Sequence, residues 1–343
     1  MKKVLNTLFV MTQNTYLAKE GEAVLVRLNG ETQTRVPVHN LAGIVCFGNV
    51  GCSPFLMGHC AENNVSINFL TENGRFLAKA VGKTSGNVNL RREQYRQTDN
   101  EKHTAAIAGN IVLAKVANCR SILSRAIRDH GDKIEQEKVQ KAADKLNNIG
   151  KRILKAENAD EVRGLEGEAA NTYFAVLSNL IIANQNAFSF AQRTRRPPLD
   201  RMNALLSFLY VILANDTEAA LECTGLDPQV GFLHRERPGR ASLALDLMEE
   251  LRPVVADRLA LTLINRQQIK PKGFTLQESG AVLMNDETRK TVLKAYQERK
   301  HDEMVHPLLQ EKTQFGMIPY TQALLLARYL RGDVNEYAPF LWR

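Results

Sequence analysis

Residues 23–38, AVLVRLNGETQTRVPV, and residues 107–127, IAGNIVLAKVANCRSILSRAI, carry different hydrophobic periods, and the contrast decides the fold class. In the first, short apolar runs flank Asn29-Gly30, a dipeptide that tolerates the positive φ angles of a two-residue hairpin turn. In the second, apolar residues recur every three to four positions, the period of a helix with a buried face. LFVM (8–11), IVCF (44–47), VSINFL (65–70) and RFLAKAV (75–81) read as further strands. One helix interrupts them, with Ser53 as N-cap and Pro54 in its first turn, running towards Asn63. Past residue 95 the chain reads as helix and loop without a convincing strand. Helix stops are expected at Gly131, Gly150, Asn186, Pro197-Pro198, Gly225, the Gly231 to Gly239 loop, Gly273 and Gly316. The expected architecture is α+β multidomain, an antiparallel β domain over residues 1–85 followed by an all-α domain over residues 86–343, with the boundary falling between residues 82 and 95.

A chain of 343 residues is long enough for two domains, each burying its own core. Its 45 Lys and Arg against 37 Asp and Glu leave a formal charge of +8, which favours a polyanionic partner, nucleic acid first. No run of about twenty apolar residues is present, and Asn6 and Thr7 break the N-terminal apolar stretch before a signal-peptide core forms. A soluble cytoplasmic protein without membrane association is expected. The five cysteines, Cys46, Cys52, Cys60, Cys119 and Cys223, include no Cys-x-x-Cys pair and are expected as reduced, buried thiols. His59 with Cys52 and Cys60 matches no standard zinc spacing, and core packing is the preferred reading.

Three places hold acids or an imidazole where chemistry is a candidate. Glu166, in Gly164-Leu165-Glu166-Gly167, is expected in the first turn of a helix continuing through EAANTYFAVLSNLIIA, where the macrodipole favours a carboxylate; simple capping explains it equally well. His234 ends Gly231-Phe232-Leu233-His234 and is followed by Arg235, Arg237 and Arg240. Those cations favour the neutral imidazole that a metal or a proton transfer requires, while a phosphate-contacting or exposed histidine is the competing reading. Asp246, Glu249 and Glu250 fall three and four residues apart on an expected helix from Ser242 to Asn265, either as a wet surface or as a carboxylate cluster around a cation. Carboxylates with one imidazole suit a divalent ion of the Mg²⁺ or Mn²⁺ type, able to activate a hydroxyl and polarise a phosphodiester.

Arg193, Arg195, Arg196 and Arg201 fall within nine residues beside Pro197-Pro198, a loop suited to phosphates; contacts between subunits or at a helix cap are the alternative. Two other motifs fail. Gly82-Lys83-Thr84 lacks the earlier glycine of a phosphate-binding loop, Leu77 standing there, and His301 and His306 are five apart, a poor fit to one helix face.

Taken together, these residues make the chain resemble a known family, the CRISPR-associated adaptation integrases, the universal first protein of those systems. The resemblance rests on YLAKEGEAVLVRLNGE with VPVHNLAGIVCFG, FLTENGRFLAKAVGKTSGNVNLRREQY, the GLEG box, RTRRPPLDRMNALLSFLY, GFLHRERPGRASLALDLMEELRP and IPYTQALLLARYLRGDVNEYAPFLW, in that order. RTRRPPLDRMNALLSF and the terminal YAPFLW resemble the type I-C branch. The resemblance implies Glu166, His234 and Glu249 as ligands of Mg²⁺ or Mn²⁺, with Asp246 binding metal or supporting the site and Glu250 competing with Glu249 for the role. It implies phosphate or leaving-group roles for Arg237 and Arg252, strand-holding roles for Arg193, Arg195, Arg196 and Arg240, and a pocket-shaping role for Asn203, Ser207 and Tyr210. It further implies a homodimer formed through the β domains, two of which sit on a central dimer of a small ferredoxin-like partner to make a heterohexamer on double-stranded DNA. The implied reaction inserts short foreign DNA into the CRISPR array by attack of a DNA 3′-hydroxyl on a repeat phosphodiester, with hydrolysis when water takes its place. Two rivals stand beside it: a repair nuclease for branched DNA, and a non-catalytic DNA-organising protein in which the three candidate ligands are surface residues.

Overall fold

The structure, a computed structural model, describes residues 6–72, 76–80, 82 and 88–342. Lys83 and Thr84 of the rejected phosphate-loop motif lie outside them. Strands β1 (Asn6–Val10), β2 (Thr15–Glu20), β3 (Ala23–Leu28), β4 (Glu31–Pro37), β5 (Leu41–Phe47), β6 (Val50–Cys52), β7 (Ser66–Leu70) and β8 (Phe76–Ala80) make two four-stranded sheets, ordered β1-β5-β7-β8 and β4-β3-β2-β6. Leu28 pairs with Glu31, so Asn29-Gly30 is the entire β3–β4 turn, with φ of 53° and 86°. That is the mirror-image turn whose twist matches the strands, and Gly30 takes its positive φ without a Cβ penalty.

The sheets are mixed rather than antiparallel as expected: β1 with β5, β5 with β7 and β2 with β6 run parallel. Each parallel pair joins strands that are not consecutive: β1 reaches β5, and β2 reaches β6, through intervening strands, while helix α1 (Pro54–Glu62) is part of a connection between β5 and β7 long enough to bring β7 back in the same direction. Its Ser53 cap accepts the Leu56 N–H at 3.2 Å. Leu17, Val24, Ile44, Leu56, Cys60 and Ile67 form the fully buried core of this unit. Burial pushes the thiols of Cys46 and Cys60 up to about 12, so they act as packing groups.

The remaining helices are α2 (Val88–Thr98), α3 (Glu101–His130), α4 (Gln136–Ile153), α5 (Ala159–Leu177), α6 (Gln185–Phe188), α7 (Arg201–Thr224), α8 (Ser242–Leu251), α9 (Arg258–Asn265), α10 (Asp286–His301) and α11 (Ile318–Leu330). The order of a strand-rich region followed by a helical one is as expected. Short strands do occur late, β9 (Phe274–Leu276), β10 (Val282–Met284), β11 (Glu303–Val305) and β12 (Lys312–Gln314); three residues are too few for a period-two pattern to show in sequence. Gly150 is no stop but an internal, buried residue of α4. On that helix Val139, Ala142, Leu146, Ile149 and Ile153 turn inward, leaving the charged residues of the 129–155 stretch to water. α3 and α7 are long and apolar enough to cross a bilayer, yet they bury most of that length inside the protein, including Lys115 and Asn118.

The described residues form two compact units. One holds those within Met1–Asn87 together with Tyr296–Met304 and Thr313–Ile318, and the other holds Val88–Ala295, Val305–Lys312 and Pro319–Arg343. Two stretches from the later part of the chain therefore cluster with the strand-rich unit, which a single cut after residue 85 does not capture.

In the helical unit the C-terminal tail is pinned onto α3 and α8. Asn118 Nδ2 donates to the carbonyls of Glu250 and Phe340, each at 2.8 Å, and its Oδ1 accepts the Trp342 N–H at 2.7 Å. The Glu250 carboxylate accepts from Tyr337 Oη at 2.6 Å, Phe340 N at 2.7 Å and Gln322 Nε2 at 3.0 Å. Burial nevertheless pushes this carboxyl up from 4.5 to about 7. A folded-state pKa above the unfolded one contributes stability that is full below about 4.5 and lost as pH rises through about 7. Urea denaturation at about pH 5 and about pH 8 is expected to show a fall in stability on the order of a few kcal/mol. Glu250→Gln, which cannot ionise, is expected to flatten that fall.

Candidate active site

The site is assembled from three helices and one turn. α5 starts at Ala159, where Asn158 Oδ1 caps the Glu161 N–H at 2.9 Å and Asp160 and Glu161 answer the macrodipole. Glu166 is therefore eight residues in, not in the first turn, and the capping explanation fails. Its carboxylate is bound instead by Lys115 of α3, a residue that the sequence reading missed. The signal was there: a lone lysine within the apolar run Ile111 to Cys119 needs a buried anion as partner.

The acids of α8 are not a wet surface, because Asp246, Glu249 and Glu250 are at most 1% exposed. Nor do they share a destination. Glu250 holds the tail, Asp246 faces the 231–234 turn, and Glu249 meets Lys115 Nζ at 2.8 Å and Arg252 Nη1 at 2.6 Å. Burial raises the Glu249 carboxyl, but Arg252 and then Lys115 outweigh it and hold it at about 2. Although Lys115 is near, Glu249 Oε2 has no well-aligned hydrogen bond.

Asp246 organises the turn that carries His234. Its Oδ2 accepts the Phe232 N–H at 2.6 Å and the Leu233 N–H at 2.9 Å; its Oδ1 accepts the His234 N–H at 2.9 Å and lies 2.6 Å from His234 Nδ1. A carboxylate only accepts, so His234 Nδ1 carries a proton and donates it to Asp246, while Nε2 lies 3.9 Å from Glu249 Oε1. Gly231 makes this packing fit. A Cβ there would meet Asp246 Oδ2 at 2.7 Å, Ser242 C at 2.8 Å and Leu243 N at 2.9 Å.

The expected continuous helix from Ser242 to Asn265 opens into a π-helical stretch, Arg252–Asp257, between α8 and α9. Pro253 has no N–H for the Glu249 carbonyl and its ring would crowd that oxygen, so the turn widens. Arg252 leaves the widened turn with its guanidinium 4.7 Å from the Tyr210 ring centroid. Tyr210 Oη donates to Asp257 Oδ1 at 2.6 Å.

The arginines divide. Arg193 is committed inside the protein: it donates to Asn203 Oδ1 at 2.7 Å and Ser207 Oγ at 3.0 Å and lies 5.2 Å from the Tyr210 centroid. Asn203, Ser207 and Tyr210 thus share one face of α7 and clamp the arginine loop through Arg193. Arg195, Arg196 and Arg237 are exposed. Burial first, then the Arg237 cation, lower the pKa of the Arg240 guanidinium; Asp246 opposes them, and Arg195 and Arg252 add to the lowering.

Glu166 and Glu249 therefore share the Lys115 ammonium, and His234 Nε2 lies 3.9 Å from Glu249 Oε1, with Asp246 behind the histidine and Arg252 beside Glu249. The donor set of carboxylate oxygens and one imidazole nitrogen fits a divalent ion of the Mg²⁺ or Mn²⁺ kind, and Glu249 Oε2, buried without an aligned hydrogen bond, is an oxygen that such an ion would satisfy. Lys115 sits between the two glutamates, and among the described residues no three His, Cys, Asp or Glu side chains form a ready-made ion site.

The family described as CRISPR associated protein Cas1 matches residues 8–298. The chain belongs to the Cas1 family. CRISPR-associated endonuclease Cas1 1 of Chlorobaculum tepidum is 52% identical over 343 residues, all of both chains. Among solved structures, a casposase bound to integration product superposes with a TM-score of 0.83 at 19% identity, over 98% of this chain and 94% of that one. A chain of a Cas6-RT-Cas1–Cas2 complex gives 0.82 at 22% identity, over 98% of this chain and 36% of that one. At these identities the two structures show a shared fold. Gly231 and Asp246 predict a sharp response in this Cas1-family site: Gly231→Ala should lower stability by about 1–3 kcal/mol, because backbone rather than a flexible side chain must give way. Thermal denaturation of the variant beside wild type is the check.

Proposed function

We propose that this Cas1-family chain is a divalent-metal-dependent DNA endonuclease and integrase of CRISPR adaptation, inserting short foreign DNA into the CRISPR array. The observation that carries the reading is that Glu166 and Glu249 share one ammonium while His234 lies 3.9 Å from Glu249, from two helices and a turn far apart in sequence, in a chain 52% identical to a named Cas1 endonuclease. Glu166, Glu249 and the His234 Nε2 would hold Mg²⁺ or Mn²⁺. When bound, the ion supplies charge neutralisation at a phosphodiester and activation of an attacking hydroxyl.

The chain's own residues do the rest. Asp246 fixes the His234 tautomer, leaving Nε2 to bind or to take a proton from a DNA 3′-hydroxyl or water. Arg252 keeps Glu249 ionised and has a donor fork suited to a phosphate oxygen. Arg195, Arg196, Arg237 and Arg240 present cations from two loops to the backbone of the incoming or target DNA, while Arg193 holds the first loop in shape. The proposed assembly is a homodimer joined through the β units, with two dimers on a central dimer of a small ferredoxin-like partner. The fold shared with a chain of a Cas1–Cas2 complex supports it.

Strand transfer of a 3′-hydroxyl DNA duplex into a supercoiled plasmid bearing a repeat, with the partner protein, tests the proposal. Joining is expected with Mn²⁺, should vanish in EDTA, and should fall at least about 100-fold in His234→Ala. Tight DNA binding without nicking or joining under any condition would replace the proposal with a DNA-organising role. The double variant Arg195→Ala, Arg196→Ala is expected to fold within about 0.5 kcal/mol of wild type, since neither side chain is buried. Its plot of log affinity against log salt should be shallower by about 1 to 2.

A further inference from the structure

One ammonium and two carboxylates from three helices converge at a single point. Lys115 of α3 bonds Glu166 of α5 and lies 2.8 Å from Glu249 Oε2 of α8. Its side chain is 8% exposed, and Ile111, Val112, Ala114, Val116 and Cys119 around it on α3 are all buried. A lysine in such surroundings has given up hydration and needs anions in return. The need is mutual. Glu249 is 1% exposed and Arg252 serves its Oε1, so the charge facing Glu166 is neutralised by Lys115. Burial presses the Lys115 ammonium towards the neutral form, but Glu249 and then Glu166 outweigh it and raise its pKa.

The two oxygens that Lys115 holds are the ones a divalent ion would take, at about 2.1 Å for Mg²⁺. An ammonium 2.8 Å from Oε2 and an ion bound to the same oxygen exclude each other in space and repel each other in charge. We propose that Lys115 is a positioning residue that competes with the divalent ion for Glu166 and Glu249: it keeps the carboxylates converged and yields their oxygens to the entering ion, so that binding exchanges one cation for another. The inference rests on the metal reading above. It follows that Lys115 weakens ion affinity while stabilising the fold, two effects that a purely structural lysine would not couple.

The test uses the full chain and Mn²⁺ alone, followed by electron paramagnetic resonance of the free ion and by thermal denaturation, with wild type, Lys115→Met and His234→Ala. Lys115→Met is expected to melt lower without Mn²⁺, to bind Mn²⁺ about tenfold or more tighter, and to gain more in Tm on its addition than wild type. A second measurement needs no variant at residue 115: acylation of wild type with acetic anhydride, read by peptide mass mapping, should spare Lys115 without Mg²⁺ and label it with Mg²⁺. If wild type binds Mn²⁺ and His234→Ala does not, yet Lys115→Met binds no tighter, or the acylation of Lys115 ignores Mg²⁺, the exchange is overturned and the metal site stands. If neither wild type nor Lys115→Met binds Mn²⁺, the metal reading falls and the exchange with it.

Discussion

Glu249 carries a full charge in a place almost closed to water, and the surrounding architecture is a set of answers to that constraint. An unpaired buried carboxylate is strongly destabilising, so two cations reach it, Lys115 from α3 and Arg252 from the π-helical turn. Each cation has further requirements of its own. Lys115 is shared with Glu166, which ties α5 into the cluster. Arg252 lies against Tyr210, whose hydroxyl is anchored by Asp257. Tyr210 also carries Arg193, and through it the loop from 193 to 201 is fastened to α7. A chain of polar dependence thus runs from one carboxylate to four helices and to the loop that displays Arg195 and Arg196.

Adjacent acids with opposite fates show how much a helix can separate. Neighbouring residues on an α-helix point about 100° apart. Glu249 and Glu250 therefore face different surroundings, one rich in cations and one lined by neutral donors. The consequence is opposite titration, with Glu249 held at about 2 and Glu250 lifted to about 7. Asp246, three residues before Glu249, turns to the Gly231 to His234 backbone and takes four donors. One helix thus supplies a site carboxylate, a histidine-orienting carboxylate and a tail anchor.

The sequence by itself determined the division into strand-rich and helical parts, the Asn29-Gly30 hairpin, the Ser53 cap and the identity of Glu166, His234 and Glu249 as candidates. These follow from local period, turn chemistry and a recognisable order of motifs, all of which are short-range properties of the chain. Only the tertiary structure decided which strands run parallel, because strand direction depends on where a crossover lands. It alone decided that Glu249 rather than Glu250 faces Glu166, that Asp246 holds the histidine, and that Arg193 is an internal clamp. It also placed Lys115 at the centre of the site. Charge and spacing show that a buried ion needs a partner, but which partner is set by helices that pack across more than a hundred residues of chain, and no local pattern encodes that contact.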